Sequence, residues 1–171
     1  MKSLLRAIGE GYYINKIADF LNDKGVENYK VELGGEVKTR GYNGTGKLWK
    51  IGIENPYFSM GKEKDRFIHI ITLKNTAIST SGSYRKFYLD SSGKRRPHII
   101  NPETGSPVDH SLLSVSIKCK NAEKADAMAT ACMVLGQKTA MEPIAEDREV
   151  EGLLIYDDNY NSLRLWKSEG F

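Results

Sequence analysis

Ser114-Val115-Ser116-Ile117-Lys118-Cys119-Lys120-Asn121 runs without a linker into Ala122-Glu123-Lys124-Ala125-Asp126-Ala127-Met128-Ala129-Thr130-Ala131-Cys132-Met133-Val134-Leu135-Gly136. The first part predicts a strand over 114–120. The second predicts a helix that Asn121 caps, carried through to about Gly136, with Glu123 in the first turn where the dipole favours a negative charge. A strand feeding such a helix directly makes an α+β chain.

Working outward, residues 9–24 predict another helix, because Tyr13, Ile14, Ile17, Phe20 and Leu21 recur at three and four and Gly25 supplies a stop. Strand-like runs follow over 29–39, 48–54, 67–73 and 77–80. Those over 84–90 and 95–100 flank Ser91-Ser92-Gly93 and predict a hairpin. A short helix is expected over 139–146, with Pro143 near its start or kinking it, and 152–156 with 163–166 closes as a second hairpin across Asp157-Asp158-Asn159. Without repeats, linkers or low-complexity stretches, residues 1–171 are expected to form a single α+β domain. Its mixed, largely antiparallel sheet packs with two main helices.

Composition narrows the function classes. The 171 residues are 40% hydrophobic and 27% charged, ordinary for a soluble globular protein. A net charge of +3, with no arginine-rich helix or aromatic-basic repeat, argues against nucleic acid. Lys94-Arg95-Arg96 predicts a solvated hairpin tip. Cys119 and Cys132 lack metal-ligand spacing and are expected as buried free thiols. No apolar run is long enough to span a bilayer. Met1-Lys2-Ser3-Leu4-Leu5-Arg6 carries charge but no apolar core or cleavage site, so the sequence as it stands predicts a cytoplasmic location.

Several stretches carry candidate chemistry. Asp126 and Thr130 stand one helical turn apart on one face, and a carboxylate with a hydroxyl is a donor set that Mg²⁺ or Ca²⁺ takes. Alternatively Asp126 caps or pairs at the surface, and Thr130 bonds back to the carbonyl four residues earlier. In Leu33-Gly34-Gly35-Glu36 the glycines permit either a strand bulge or close approach of backbone to a ligand, with Gly35 the candidate contact. Ser79-Thr80-Ser81-Gly82-Ser83-Tyr84 is either an ordinary loop or a phosphate cradle, with Ser81 its candidate donor. Ala7-Ile8-Gly9-Glu10-Gly11-Tyr12 opens the first helix, whose free N–H groups suit anions. Glu10 can equally be a favourable charge at the helix start.

His98-Ile99-Ile100-Asn101-Pro102-Glu103-Thr104-Gly105-Ser106-Pro107 packs a histidine, two prolines and a glycine into ten residues. Proline stiffens such a loop and pushes Asn101 and Ser106 toward extended geometry. The loop is expected to hold His98 beside backbone groups left free for a ligand. His98 itself reads as a general base or as a structural histidine. His69 alternates with apolar neighbours and is expected to face solvent, and His110 has no partner that the sequence identifies.

Taken in order, these blocks resemble the ApbE-type flavin transferases, the FAD:protein FMN transferases. The resemblance runs from about Ala7 to the C-terminus and corresponds to the C-terminal half of the family's chain. It implies a Mg²⁺-dependent reaction in which FAD is split at its pyrophosphate, FMN passes to a threonine or serine of an acceptor protein, and AMP is released. It implies Asp126, Thr130 and the backbone oxygen of Ala7 as metal ligands, Glu10 and Ile100 as FAD contacts, and His98 close to the reacting phosphates or the flavin. Full-length relatives of this kind are exported, often as membrane-anchored lipoproteins facing the periplasm.

Three positions depart from the family pattern: Glu10 where many relatives have lysine, Asn15 where aspartate is frequent, and Leu4 where an aspartate is common. With half the family's length, the alternatives are a flavin-nucleotide binding module without catalysis and an FAD pyrophosphatase giving FMN and AMP. Apolar surface left by the absent half is expected to favour a homodimer.

Overall fold

In a computed structural model describing residues 8–84, 87–91, 95–158 and 162–171, Gly34 and Gly35 cut the strand predicted over 29–39 in two. Their φ angles are 67° and 119°, which favour glycine, so the chain reverses there as a hairpin and does not merely bulge.

The elements in chain order are α1 (Gly9–Asp23), β1 (Tyr29–Leu33), β2 (Glu36–Arg40), β3 (Trp49–Glu54), α2 (Pro56–Ser59), β4 (Phe67–Leu73) and β5 (Ala77–Gly82). There follow β6 (Phe87–Leu89), β7 (Arg95–Pro97), β8 (Leu112–Cys119), α3 (Ala122–Leu135), α4 (Gln137–Glu146), β9 (Glu151–Asp157) and β10 (Leu163–Lys167). One sheet has the order β1-β2-β5-β8-β9-β10, and every adjoining pair in it is antiparallel. It is a meander from which two hairpins, β3–β4 and β6–β7, and the helix pair α3–α4 project.

Strand alternation assigns the two faces. On one, Val115, Ile117 and Cys119 of β8 join Ala125, Ala129, Cys132 and Met133 of α3 and Ala140 and Ile144 of α4. On the other, Val37, Ile78, Leu153 and Ile155 pack on Ile53 of β3 and Ile71 and Leu73 of β4. The result is three layers: helices, sheet, hairpin. Each aliphatic side chain buried this way contributes roughly 1.5–3 kcal/mol.

The α+β class and both main helices match the sequence reading. Asn121 caps α3, its Oδ1 accepting from Glu123 N at 2.9 Å and Lys124 N at 3.2 Å. Helix α2 was not foreseen; Asn55 caps it and Pro56 opens it, a pairing that allows one turn in a loop. Pro143 lies inside α4. The hairpin over β6 and β7 forms as expected, while its tip at 92–94 falls outside the described residues. Arg96 is not a solvated tip residue: its Nε lies 2.8 Å from Asp90, and it also reaches Asp109. His69 does not face open solvent. It shares a strand face with Ile71 and Leu73 and is half-buried beside Lys167 and Phe171, where burial and the lysine charge hold its imidazole below its ordinary range. Both cysteines are buried free thiols, and burial pushes Cys132 up to about 11, so it stays an unreactive thiol. Among the described residues no helix is long and apolar enough to cross a membrane.

Candidate functional site

Helix α1 begins without a cap of its own. Ile8 at its N-cap offers no side-chain acceptor, which leaves the first N–H groups to find partners elsewhere. The partner is Asp126 of α3, whose Oδ2 accepts from Gly11 N at 2.9 Å. The anion seated at this helix start is therefore a carboxylate of the same chain. Gly11 makes the approach possible, because a Cβ there would stand 2.4 Å from the Ala122 carbonyl oxygen. Only hydrogen at that position lets α1 and α3 pack this closely.

Asp126 is 4% exposed, so it is not the surface cap or surface ion pair that one reading of the sequence offered. Burial raises its carboxyl above the ordinary carboxylate range and the Glu10 charge adds to this, against the lowering effect of the Gly11 and Glu10 backbone N–H groups. One turn on, the Thr130 hydroxyl lies 3.1 Å from the Ser81 hydroxyl of β5, which pairs the strand with the helix. Thr130 thus has a partner across the layer.

A further carboxylate, Glu36, completes the cluster. It is 6% exposed on β2, and its Oε1 accepts from Ser79 Oγ at 3.2 Å. Its Oε2 is buried without a hydrogen-bond donor. Burial, then the adjacent Glu10 carboxyl, then Asp126, raise Glu36 from 4.5 to about 8. Glu10 is exposed, and its carboxyl carbon would lie 2.4 Å from a Cβ on Gly34. Gly34, with its positive φ, is therefore the glycine of close approach. Gly35 stands in open space and serves the turn.

The structure thus unites Glu10, Gly11, Glu36 and Asp126, and alongside them Ser81 with Thr130, between the helix-side face of β2–β5 and the start of α1. Glu36, Ser79 and Gly11 were missed as site residues. The signal for Glu36 lay in its alternation with buried Val37, which turns it toward the helices. Ala7 lies outside the described residues.

The histidine loop behaves differently from its sequence expectation. Its backbone is spent on itself: Asn101 N donates to Ser106 O, Gly105 N to Asn101 O, and Val108 N to Ile99 O, at 2.9, 2.8 and 3.0 Å. Glu103 N donates to the Asn101 side chain at 2.9 Å. These groups are not free for a ligand. Ile99 and Val108 anchor the loop in the core that contains Ala125 and Ala129, the neighbours of Asp126 on α3. His98 and Ile100 remain on its exposed side. His110 does have a partner: its Nε2 is 2.8 Å from the Met133 carbonyl, which ties the end of the loop to α3.

Among the described residues no group of three His, Cys, Asp or Glu side chains is arranged to hold a metal by itself. Mg²⁺ needs less, since it keeps waters and phosphate oxygens and takes one or two protein carboxylates. Asp126 and Thr130 offer that limited set of hard oxygens. The charge balance also suits a cation, because the carboxylates of Glu10, Glu36 and Asp126 act on one another here and one buried oxygen lacks a donor. The residues present fit a hard divalent cation.

Comparison with known proteins identifies the family. The family model described as "ApbE family" matches residues 1–154. The chain is 37% identical over 171 residues to the FAD:protein FMN transferase of Escherichia coli K12, covering 98% of this chain and 46% of that relative. It is 37% identical over 158 residues to the enzyme of the same name from Vibrio cholerae, covering 91% of this chain and 46% of the relative. Among solved structures, the flavin transferase ApbE from Vibrio cholerae superposes with a TM-score of 0.82 at 35% identity, over 96% of this chain and 50% of that one. The apo form of the Pseudomonas stutzeri flavinyl transferase ApbE gives 0.81 at 28% identity, over 98% and 49%. The chain spans about half the length of the relatives it matches. On sequence and fold together, it belongs to the ApbE family.

Proposed function

We propose that this chain provides the diphosphate-and-metal side of an FAD:protein FMN transferase. The observation that carries the reading is the buried Asp126, fixed by Gly11 and one turn from Thr130, in a chain 37% identical to such a transferase over 98% of its own length. In this reading an acceptor threonine or serine hydroxyl forms a bond to the FMN phosphorus. The phosphoanhydride bond to AMP breaks, AMP leaves with the bridging oxygen, and the hydroxyl proton passes to a base or to solvent. Atoms and charge balance without a further reactant.

Asp126, Thr130 and the backbone oxygen of Ala7 would hold Mg²⁺, which supplies charge neutralisation and polarises the phosphorus under attack. The chain's own groups position and insulate. Gly11 N–H aims the Asp126 carboxylate, and Ser81 holds the Thr130 hydroxyl. Glu10, Ile100, Gly35 and Ser81 form the FAD-facing set, and His98, by resemblance, lies close to the reacting phosphates or the flavin. The partners are FAD and an acceptor protein bearing the target hydroxyl.

The test incubates the protein with FAD, Mg²⁺ and a threonine-bearing acceptor and follows AMP, FMN and flavinylated acceptor together. AMP with labelled acceptor supports transfer. AMP with free FMN means water replaces the acceptor, and FAD binding without AMP means a binding module; either result overturns the proposal.

A further inference from the structure

Helices α1 and α3 each close the other's first turn. Asp126 of α3 accepts from Gly11 N of α1, and Asn15 of α1 accepts from Ala122 N of α3, its Oδ1 at 3.2 Å. Ala122 is the first residue of α3, and Asn121 satisfies the next two N–H groups. Asn15 therefore supplies the one acceptor that the cap leaves open. The same oxygen accepts from Lys38 Nζ of β2 at 2.7 Å, and Asn15 Nδ2 donates to Asn121 Oδ1 at 2.8 Å. These partners fix which way the amide points, since two donors need its oxygen and one acceptor needs its nitrogen. The side chain is pinned between the sheet and the α3 cap.

The two cross-links lie one helical turn apart on each helix and run in opposite directions, from Gly11 to Asn15 on α1 and from Asp126 back to Ala122 on α3. At about 1.5 Å of rise per residue they stand about 6 Å apart. Both polar groups of Ala122 face α1: its N–H meets Asn15, and its carbonyl oxygen lies where a Cβ on Gly11 would collide with it. One turn of helix is stiff, so whatever holds Ala122 also holds Asp126. We infer that Asn15 is a positioning residue for Asp126, its amide setting the register of α3 on α1 and so aiming the buried carboxylate. A working site holds its ligands to within about 0.5 Å, so a loosened Asp126 binds Mg²⁺ less well. That consequence rests on the metal role proposed for Asp126, whereas the positioning itself is read in the metal-free chain.

The test compares the full 171-residue parent with Asn15→Ala, Asn15→Leu, Asp126→Ala and Ile53→Val. Asn15→Leu keeps the volume and removes the hydrogen bonds, and Ile53→Val loosens the hairpin layer on the other face of the sheet. Two quantities are measured: exchange of the Gly11 amide by NMR without metal, and the Mg²⁺ dissociation constant by calorimetry. In both Asn15 variants Gly11 should exchange about tenfold faster. Mg²⁺ should bind them roughly 10–100-fold more weakly. Ile53→Val should leave both quantities near the parent values, which separates positioning from a general loss of stability. Parent-like exchange at Gly11 in the two Asn15 variants overturns the inference. So does a Mg²⁺ affinity that they keep while Asp126→Ala loses it, or an equal change in Ile53→Val. If the parent binds no Mg²⁺, or Asp126→Ala binds it like the parent, the metal role of Asp126 fails, while faster exchange at Gly11 still upholds the positioning.

Discussion

Asp126 in α3 and Gly11 in α1 are joined by one hydrogen bond of 2.9 Å that spans 115 residues of chain. It serves two purposes. It satisfies a helix start that has no cap of its own, and it fixes the orientation of the carboxylate proposed as the metal ligand. The two roles can be separated by choice of substitution.

Asp126→Asn keeps an oxygen for Gly11 N–H and loses the charge, whereas Asp126→Ala loses both. The alanine variant should lose about 1–2 kcal/mol of stability in urea titration, and the asparagine variant less. Both should abolish Mg²⁺-dependent release of AMP from FAD. Full AMP release by the asparagine variant would remove Asp126 from the metal site.

Gly11→Ala places a methyl 2.4 Å from the Ala122 carbonyl oxygen, a backbone atom that cannot step aside alone. The helices must separate, at a cost of roughly 1–3 kcal/mol. The denaturant midpoint should fall although alanine is the better helix former. A variant as stable as the parent would show that α1 and α3 can slide apart freely.

Glu36 gives the stability a pH dependence of definite sign. Unfolded, it ionises near 4.5, and folded near about 8, because burial and the Glu10 carboxyl disfavour its charge. Between those values the folded chain holds a proton that the unfolded chain lacks. The stability this confers is present below the lower value and is lost as pH rises toward the upper, by at most about 1.4 kcal/mol per pH unit. Glu36→Gln imitates the protonated form, so urea midpoints in metal-free buffer should decline less from about pH 5 to pH 8 than in the parent. An identical decline would locate the titration elsewhere.

Ser81 and Thr130 can be tested as a pair. Thr130→Val removes the proposed ligand oxygen, and Ser81→Ala removes only the hydroxyl that holds it. Ser81→Ala should raise the Mg²⁺ concentration needed for AMP release roughly 10–100-fold, and Thr130→Val should cost more. Stability should change by about 1 kcal/mol in each. Equal Mg²⁺ requirements in Ser81→Ala and the parent would mean that the pair is structural only.

The elements with strong periodicity or caps were legible in the sequence. Asn121 marked the start of α3, and Gly25, with φ of 73°, marked the end of α1. Gly34-Gly35 was visible as a break but not as a reversal, because a glycine pair permits a bulge and a hairpin alike. Asp126 and Thr130 were legible through their spacing. Their partners were not, since Gly11 for Asp126 and Ser81 for Thr130 are brought in by helix packing and sheet order over long separations. His69 was misjudged because alternation assigns two faces without saying which one a second layer covers. His98 was singled out by loop composition, and the same composition concealed that the loop's N–H groups bond within it.

The bond between Gly11 and Asp126 also sets an order of events at the ribosome. Translation at about 5–20 residues per second delivers the start of α1 on the order of ten seconds before its acceptor emerges. By the end of that interval the growing chain has four of the six main-sheet strands in sequence, and α1 can pack on β1 but still lacks the acceptor for its Gly11 N–H. The carboxylate that satisfies the start of α1 therefore comes late, with α3, and the order of synthesis alone decides when that helix end is closed.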